Sequence, residues 1–211
     1  MKINKYLSFD ISLHKTFYEI NKKYPNTSLS FEILIDILDG NWISNGYQSK
    51  DEESLFRDYA TNALKLYSLN PLDKGCDIVF LNKFISGNED SQFRYARIDK
   101  LHFLSNGQLE LIDYKSGKYI PPADKRFSPN KLLFTITSIK EKIGVYPDIF
   151  SLYYLRHGIK LSTYINFDTI YNSTKLFNHT FPLKHQLIFP NHIFREKSFN
   201  KETHSGGNTF G

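Results

Sequence analysis

The sequence predicts a mixed α/β domain with an N-terminal helical layer, on three observations. Apolar residues recur at helical spacing up to Pro71. Beyond it, three short segments alternate in strand fashion. One more helical segment then separates this meander from a further strand. With 211 residues, 40% of them hydrophobic, and 14 Tyr and 18 Phe, the chain can bury a real core. That composition excludes global disorder.

Residues 10–21 read as a first helix, with Ile11, Phe17 and Ile20 as its buried stripe and His14 within it. The run Tyr24-Pro25-Asn26-Thr27-Ser28 breaks it. Ser30-Phe31-Glu32 opens a second helix, in which Phe31, Leu34, Ile35 and Leu38 share a face and Asp39-Gly40 marks the end. Ser49 is an N-cap for a third, with Asp51, Glu52 and Glu53 in its first turn. Its apolar face is Leu55, Phe56, Tyr59, Ala63, Leu66 and Tyr67, and Trp42 and Tyr47 are expected to pack into the same helical layer. Residues 77–85, 92–104 and 109–113 then read as three antiparallel strands. Tyr119-Ile120-Pro121-Pro122 has to be a loop. Residues 130–143 read as a helix despite Thr135, Ile136, Thr137 and Ile139, residues 149–155 as a fourth strand, and residues 161–165 as a candidate fifth. The expected division is a folded domain over 1–167 and a partly disordered extension over 168–211.

The formal charge is +5, and residues 115–142 carry the excess: Lys115, Lys118, Lys125, Arg126, Lys131, Lys140 and Lys142 face only Asp124 and Glu141. Such a run is either an ordinary solvated face or a surface for phosphates that reads no base sequence. Cys76 is the only cysteine, so an internal disulfide, a four-cysteine zinc site and an iron–sulfur cluster are excluded, and it reads as a small buried hydrophobe. No run reaches the ~18 apolar residues that span a bilayer, and no signal core opens the chain. A cytoplasmic protein with no membrane partner is the default expectation. His102, His157, His179, His185, His192 and His204 show no ligand spacing and read as structural or surface residues.

The chemistry concentrates in Ile98-Asp99-Lys100 and Ile112-Asp113-Tyr114-Lys115, joined through Asn106-Gly107, a strong hairpin dipeptide. Two paired strands would bring Asp99 beside Asp113, and Lys115, two residues on, would share the face of Asp113. Two carboxylates and an ammonium are the inventory for holding a hard divalent cation against a phosphodiester. Spacing alone is equally consistent with a solvated strand end, in which Lys115 is a cross-strand ion-pair partner. Arg97 reads as a surface residue on the strand face opposite Asp99.

These residues also carry a resemblance. Tyr95-Ala96-Arg97-Ile98-Asp99-Lys100 followed by Leu109-Glu110-Leu111-Ile112-Asp113-Tyr114-Lys115-Ser116-Gly117 resembles the G-x-I-D-R … I-D-Y-K-T-G signature of PD-(D/E)XK nucleases, in particular the RecB-type exonuclease domain. Upstream, Leu7-Ser8-Phe9-Asp10-Ile11-Ser12-Leu13-His14 is similar to that family's S-F-G-x-x-x-H helix. The segment from Trp42 to Glu53 is similar to its W-x-x-x-G-Y-x-S-x-E-E segment. The resemblance implies a restriction-endonuclease-like core, an antiparallel meander plus one or two further strands flanked by helices. It implies a Mg2+-dependent, exonuclease-like deoxyribonuclease of DNA repair or recombination, with Mn2+ as an alternative ion. Asp99 and Asp113 would be metal ligands, joined by His14 and the backbone carbonyl of Tyr114, and Lys115 would be the catalytic lysine. Asn130 and Phe134 stand where the family has a substrate-facing Gln and Tyr, beside Lys131, Lys118, Lys125 and Arg126 as DNA contacts. Sequence-nonspecific DNA and a helicase subunit are the implied partners. Ala96, Lys100, Asp10, Asn130 and Phe134 depart from the pattern. A catalytically weakened nucleic-acid-binding module and a structural subunit of a helicase–nuclease complex are therefore the competing expectations.

Overall fold

In a computed structural model, residues 3–75, 77–86, 95–122 and 125–165 are described. All of them lie in Met1–Leu176, the first of the two units into which the chain divides. The expected extension over 168–211 and Cys76 fall outside the described residues, as do His179, His185, His192 and His204.

Three helices come first, and each starts at a side-chain cap. Helix α1 (Lys5–Lys23) is capped by Asn4, whose side chain accepts from the Leu7 amide, and it stops at Tyr24 because Pro25 disfavours a helical residue before it. Helix α2 (Phe31–Asn41) is capped by Ser30. Helix α3 (Lys50–Leu69) is capped by Ser49 and carries Asp51, Glu52 and Glu53 against its positive end. Along α1, Ser12 and Thr16 return their hydroxyls to the carbonyls four residues back, at 2.8 Å each, and so are buried without an unpaired polar atom. Trp42 and Tyr47 stack nearly parallel, 5.9 Å apart, against this layer, as expected.

The sheet has five strands in sequential order: β1 (Ile78–Ser86), β2 (Tyr95–Phe103), β3 (Leu109–Lys115), β4 (Ile149–Tyr154) and β5 (Ile159–Tyr164). Strands β1 to β3 form the antiparallel meander, with Gly107 at φ +83° in the β2–β3 turn. Helix α4 (Pro129–Ile143) begins at Ser128 with Pro129 in its first turn and ends at Gly144, whose φ of +80° suits a residue without Cβ. It makes the crossover that lets β4 lie parallel to β3, and β5 returns antiparallel around Gly158.

Each face of the sheet is covered. On one side, Phe9, Leu13, Phe17 and Ile20 of α1 join Leu34, Leu38, Phe56, Leu64 and Tyr67 over Ile112, Tyr114 and Tyr153 of the sheet. On the other, Leu132, Ile136 and Ile139 of α4 cover Ile85, Ala96, Ile98, Leu101, Leu109, Leu111, Phe150 and Leu152. Strand β3 alternates regularly between these cores. Strand β2 does not: Ile98 and Leu101, three apart, both face α4, so the alternation is interrupted between them.

Under α1 the apolar layer encloses a polar cluster. Lys100 is fully buried, donates to Asn21 Oδ1 at 2.7 Å and to the Asp73 carbonyl, and faces the Asp73 carboxylate. Asp73 in turn accepts from the Tyr114 hydroxyl and from Asn21 Nδ2 at 3.1 Å. Burial works against the Asp73 carboxylate, but Lys100 and these donors prevail and hold its pKa below the ordinary value. Removing one member leaves the other charge buried alone. Asp73→Ala is expected to lower unfolding free energy by about 3–5 kcal/mol in urea titration, and a loss under about 1 kcal/mol would contradict this pairing.

Candidate metal centre

The site forms where β2 and β3 part. Their ladder runs from Phe103↔Leu109 to Lys100↔Ile112 and stops, although continuation would set Asp99 against Asp113. Beyond that level β2 stays paired with β1, and β3 stays paired with β4 through Lys115↔Tyr154. The sheet therefore opens a notch with an aspartate on each lip. Across it the Tyr114 amide, lacking a β2 carbonyl, donates to Asp99 Oδ2 at 3.0 Å. A side chain has replaced a rung of the ladder.

Asp99 is held from two further directions. His14, carried by α1, places Nδ1 3.3 Å from Asp99 Oδ1, and Arg97 places Nε 3.2 Å from the same oxygen. Arg97 is thus not, as expected, a surface residue on the strand face opposite Asp99, but its neighbour. Residues two apart on a strand share a face, so Arg97 lies beside Asp99 and not opposite it. On its other side His14 Nε2 lies 3.4 Å from Asp10 Oδ1, one helical turn back, and Asp10 also accepts from the Ser116 hydroxyl. Burial alone would push the His14 pKa down; two flanking carboxylates win and raise it to about 9. Burial likewise opposes the charge on Asp10, yet His14 and Ser116 hold its pKa below the usual value.

Asp113 and Lys115 reach the notch from the α4 side, in alternation with Leu111. Lys115 Nζ lies 2.7 Å from Asp113 Oδ2, and 34% and 32% of their side chains remain open to solvent. Burial raises the Asp113 pKa, and the neighbouring charge of Asp99 adds to the rise against Lys115 and Lys131. Asp99 and Asp113 thus sense one another across the opening. The notch carries Asp10, Asp99 and Asp113 against His14, Arg97 and Lys115, which balance when His14 is protonated.

The donor types suit a hard divalent ion: two carboxylates, an imidazole and the neighbouring Tyr114 carbonyl. One atom points the same way. His14 Nδ1 is buried without a hydrogen-bond partner, because its approach to Asp99 is too poorly angled to be one. Among the described residues, however, no three His, Cys, Asp or Glu side chains are already disposed around a common point. The donor types fit such an ion by chemistry, and holding one would require Asp99 to exchange its contacts with His14 and Arg97 for it.

The residues expected to touch DNA are scattered more widely. Lys131 lies close enough to Asp113 to influence it. Phe134 packs partly buried against the α4 core and Asn130 is half-buried at the start of α4. Lys118 is exposed over the Tyr119 ring, Lys125 is exposed, and Arg126 Nε donates to the Pro121 carbonyl at 3.0 Å. His102 is buried and structural, 2.8 Å from Glu110. The sequence reading missed Asp73, Asn21 and Ser116 as supports. Asp10 was legible through its four-residue spacing from His14; Asp73 stands in a loop and shows no pattern. No family model and no curated protein matches the chain.

Because the His14 pKa is higher folded than unfolded, its contribution is complete below its unfolded pKa near 6.5 and is lost as pH rises through about 9. Unfolding free energy is therefore expected to fall between pH 7 and 9, by up to about 1.4 kcal/mol per unit. His14→Gln should flatten that slope in urea titrations at each pH. An equally steep slope in the variant would assign it to another group.

Proposed function

We propose that this chain is a metal-dependent nuclease that hydrolyses DNA phosphodiesters, built on a restriction-endonuclease-like core. The observation that carries the reading is the notch. Asp99 and Asp113 occupy the two strand positions at which β2 and β3 part, close enough for one charge to act on the other, with Lys115 on Asp113 and His14 on Asp99. The order of three antiparallel strands, a helix and a parallel strand supports the same core. So does the ordered set of motifs in the sequence.

Magnesium or manganese, when bound, neutralises a phosphate oxygen and makes its coordinated water a nucleophile at neutral pH. Asp99, Asp113, the Tyr114 carbonyl and a deprotonated His14 would hold it. Lys115, leaving Asp113, orients the attacking water and offsets the charge that develops on the phosphate. Lys131 and the exposed Lys118 and Lys125 lie on the basic stretch that would meet the backbone without reading bases. A helicase partner and a place in repair or recombination rest on the resemblance alone.

A second reading, a nucleic-acid-binding module that no longer cleaves, draws on Phe134 packing against the core and on the pairing of Asp99 with His14 and Arg97. Incubating labelled single- and double-stranded DNA with Mg2+ or Mn2+ separates the two. Wild type is expected to degrade DNA, Asp113→Ala to be inert, and Lys115→Ala to lose about 10²-fold or more in turnover while still binding Mn2+. DNA binding without metal-dependent cleavage by wild type would establish the second reading, and full activity in folded Lys115→Ala would remove the lysine from the mechanism.

A further inference from the structure

We propose that Phe84 and Tyr95 form a base-stacking platform on the β1–β2 pair, receiving unpaired nucleotides that lead into the Asp99–Asp113 notch; nucleic acid as the occupant rests on the reading above. Both rings are large and open, 64% and 68% exposed. Their placement follows from register. Ile85 pairs with Ala96 and both face the α4 core, so their neighbours Phe84, Ser86, Tyr95 and Arg97 stand on the opposite face. That is the face from which Arg97 reaches Asp99, at 3.2 Å.

Phe84 is the direct cross-strand partner of Arg97, and Tyr95 lies two residues along the strand, opposite Ser86. Directly opposed side chains start about 4.5–5.5 Å apart and diagonal ones about 7–8 Å apart. Both rings therefore stand at strand positions next to Arg97, whose Nε donates to Asn82 Oδ1 at 2.9 Å and lies 3.2 Å from Asp99 Oδ1. Ring, ring, cation and carboxylate follow one another along a single face. The polar neighbours Asn82 and Ser86 break up any continuous apolar surface of the kind that buries a protein partner. Two separated rings beside a guanidinium match a strand that alternates flat bases with phosphates. In a duplex the base faces are already stacked on one another, so only unpaired nucleotides can use the platform.

The test is fluorescence anisotropy of the full chain with a labelled short oligo(dT) and with an abasic strand of equal length, both in EDTA. The two probes carry the same phosphates and differ only in bases. Wild type is expected to bind oligo(dT) at least about tenfold more tightly than the abasic strand. Phe84→Ala/Tyr95→Ala should bind the two alike, and Phe84→Trp/Tyr95→Trp should keep the preference. Equal binding of both probes by wild type, or a preference that survives in the double alanine variant, overturns the platform. So does sedimentation showing that wild type is a dimer and the double variant a monomer, since the face would then join two copies along β1, an edge strand among the described residues. Binding in EDTA uses no metal. Hydrolysis of bis-p-nitrophenyl phosphate by wild type with Mn2+, a diester without bases, reports separately on the nuclease reading.

Discussion

The hydrogen bond from the Tyr114 amide to Asp99 Oδ2 is the contact around which the site is built. A sheet that opens between two strands leaves backbone donors without partners, at a cost comparable to a lost hydrogen bond each. Asp99 supplies the missing acceptor, so the opening is satisfied by the same carboxylate that lines it. The break in the alternation of β2 falls at the same place. With Ile98 and Leu101 both committed to the α4 core, Asp99 and Arg97 are turned toward α1 and His14.

Tyr114 is the pivot between site and core. Its amide serves Asp99, and its hydroxyl, on the same residue, donates to Asp73 inside the cluster with Asn21 and Lys100. A buried charged pair of this kind contributes little net stability over an apolar replacement, because desolvation offsets most of its attraction. What it does is specify position. It ties α1, the loop after α3, β2 and β3 to one another through directional bonds, and so fixes where α1 presents His14.

Electrostatic balance governs what the notch can accept. Three carboxylates within one opening would repel each other and resist ionisation. His14, Arg97 and Lys115 relieve that repulsion, and the raised pKa of His14 shows how strongly its two carboxylates hold its proton. On the proposed reading, a divalent cation held by Asp99, Asp113 and a deprotonated His14 would take over this role and release the Lys115 ammonium from Asp113. Occupancy of such a site would then depend on pH, since an imidazole has to lose its proton to bind a metal.

Much was determined by the sequence alone, because the signals are local. Caps at Ser30 and Ser49, the Asn106-Gly107 turn and the change of period after Pro71 place α2 and α3 to within a residue or two and the ends of the meander strands to within three. The two-residue spacing that puts Asp113 with Lys115 is a property of any strand. Only the tertiary structure decided that the β2–β3 ladder stops one pair short of Asp99, that Asp73 lies beneath Tyr114, and that Phe134 packs inward. Those outcomes depend on which of two cores claims each side chain, a competition between residues far apart in the chain that no local pattern records. Arg97 marks the boundary: its position beside Asp99 was implicit in strand alternation, whereas its contact with that carboxylate required the turn of β2 toward α1.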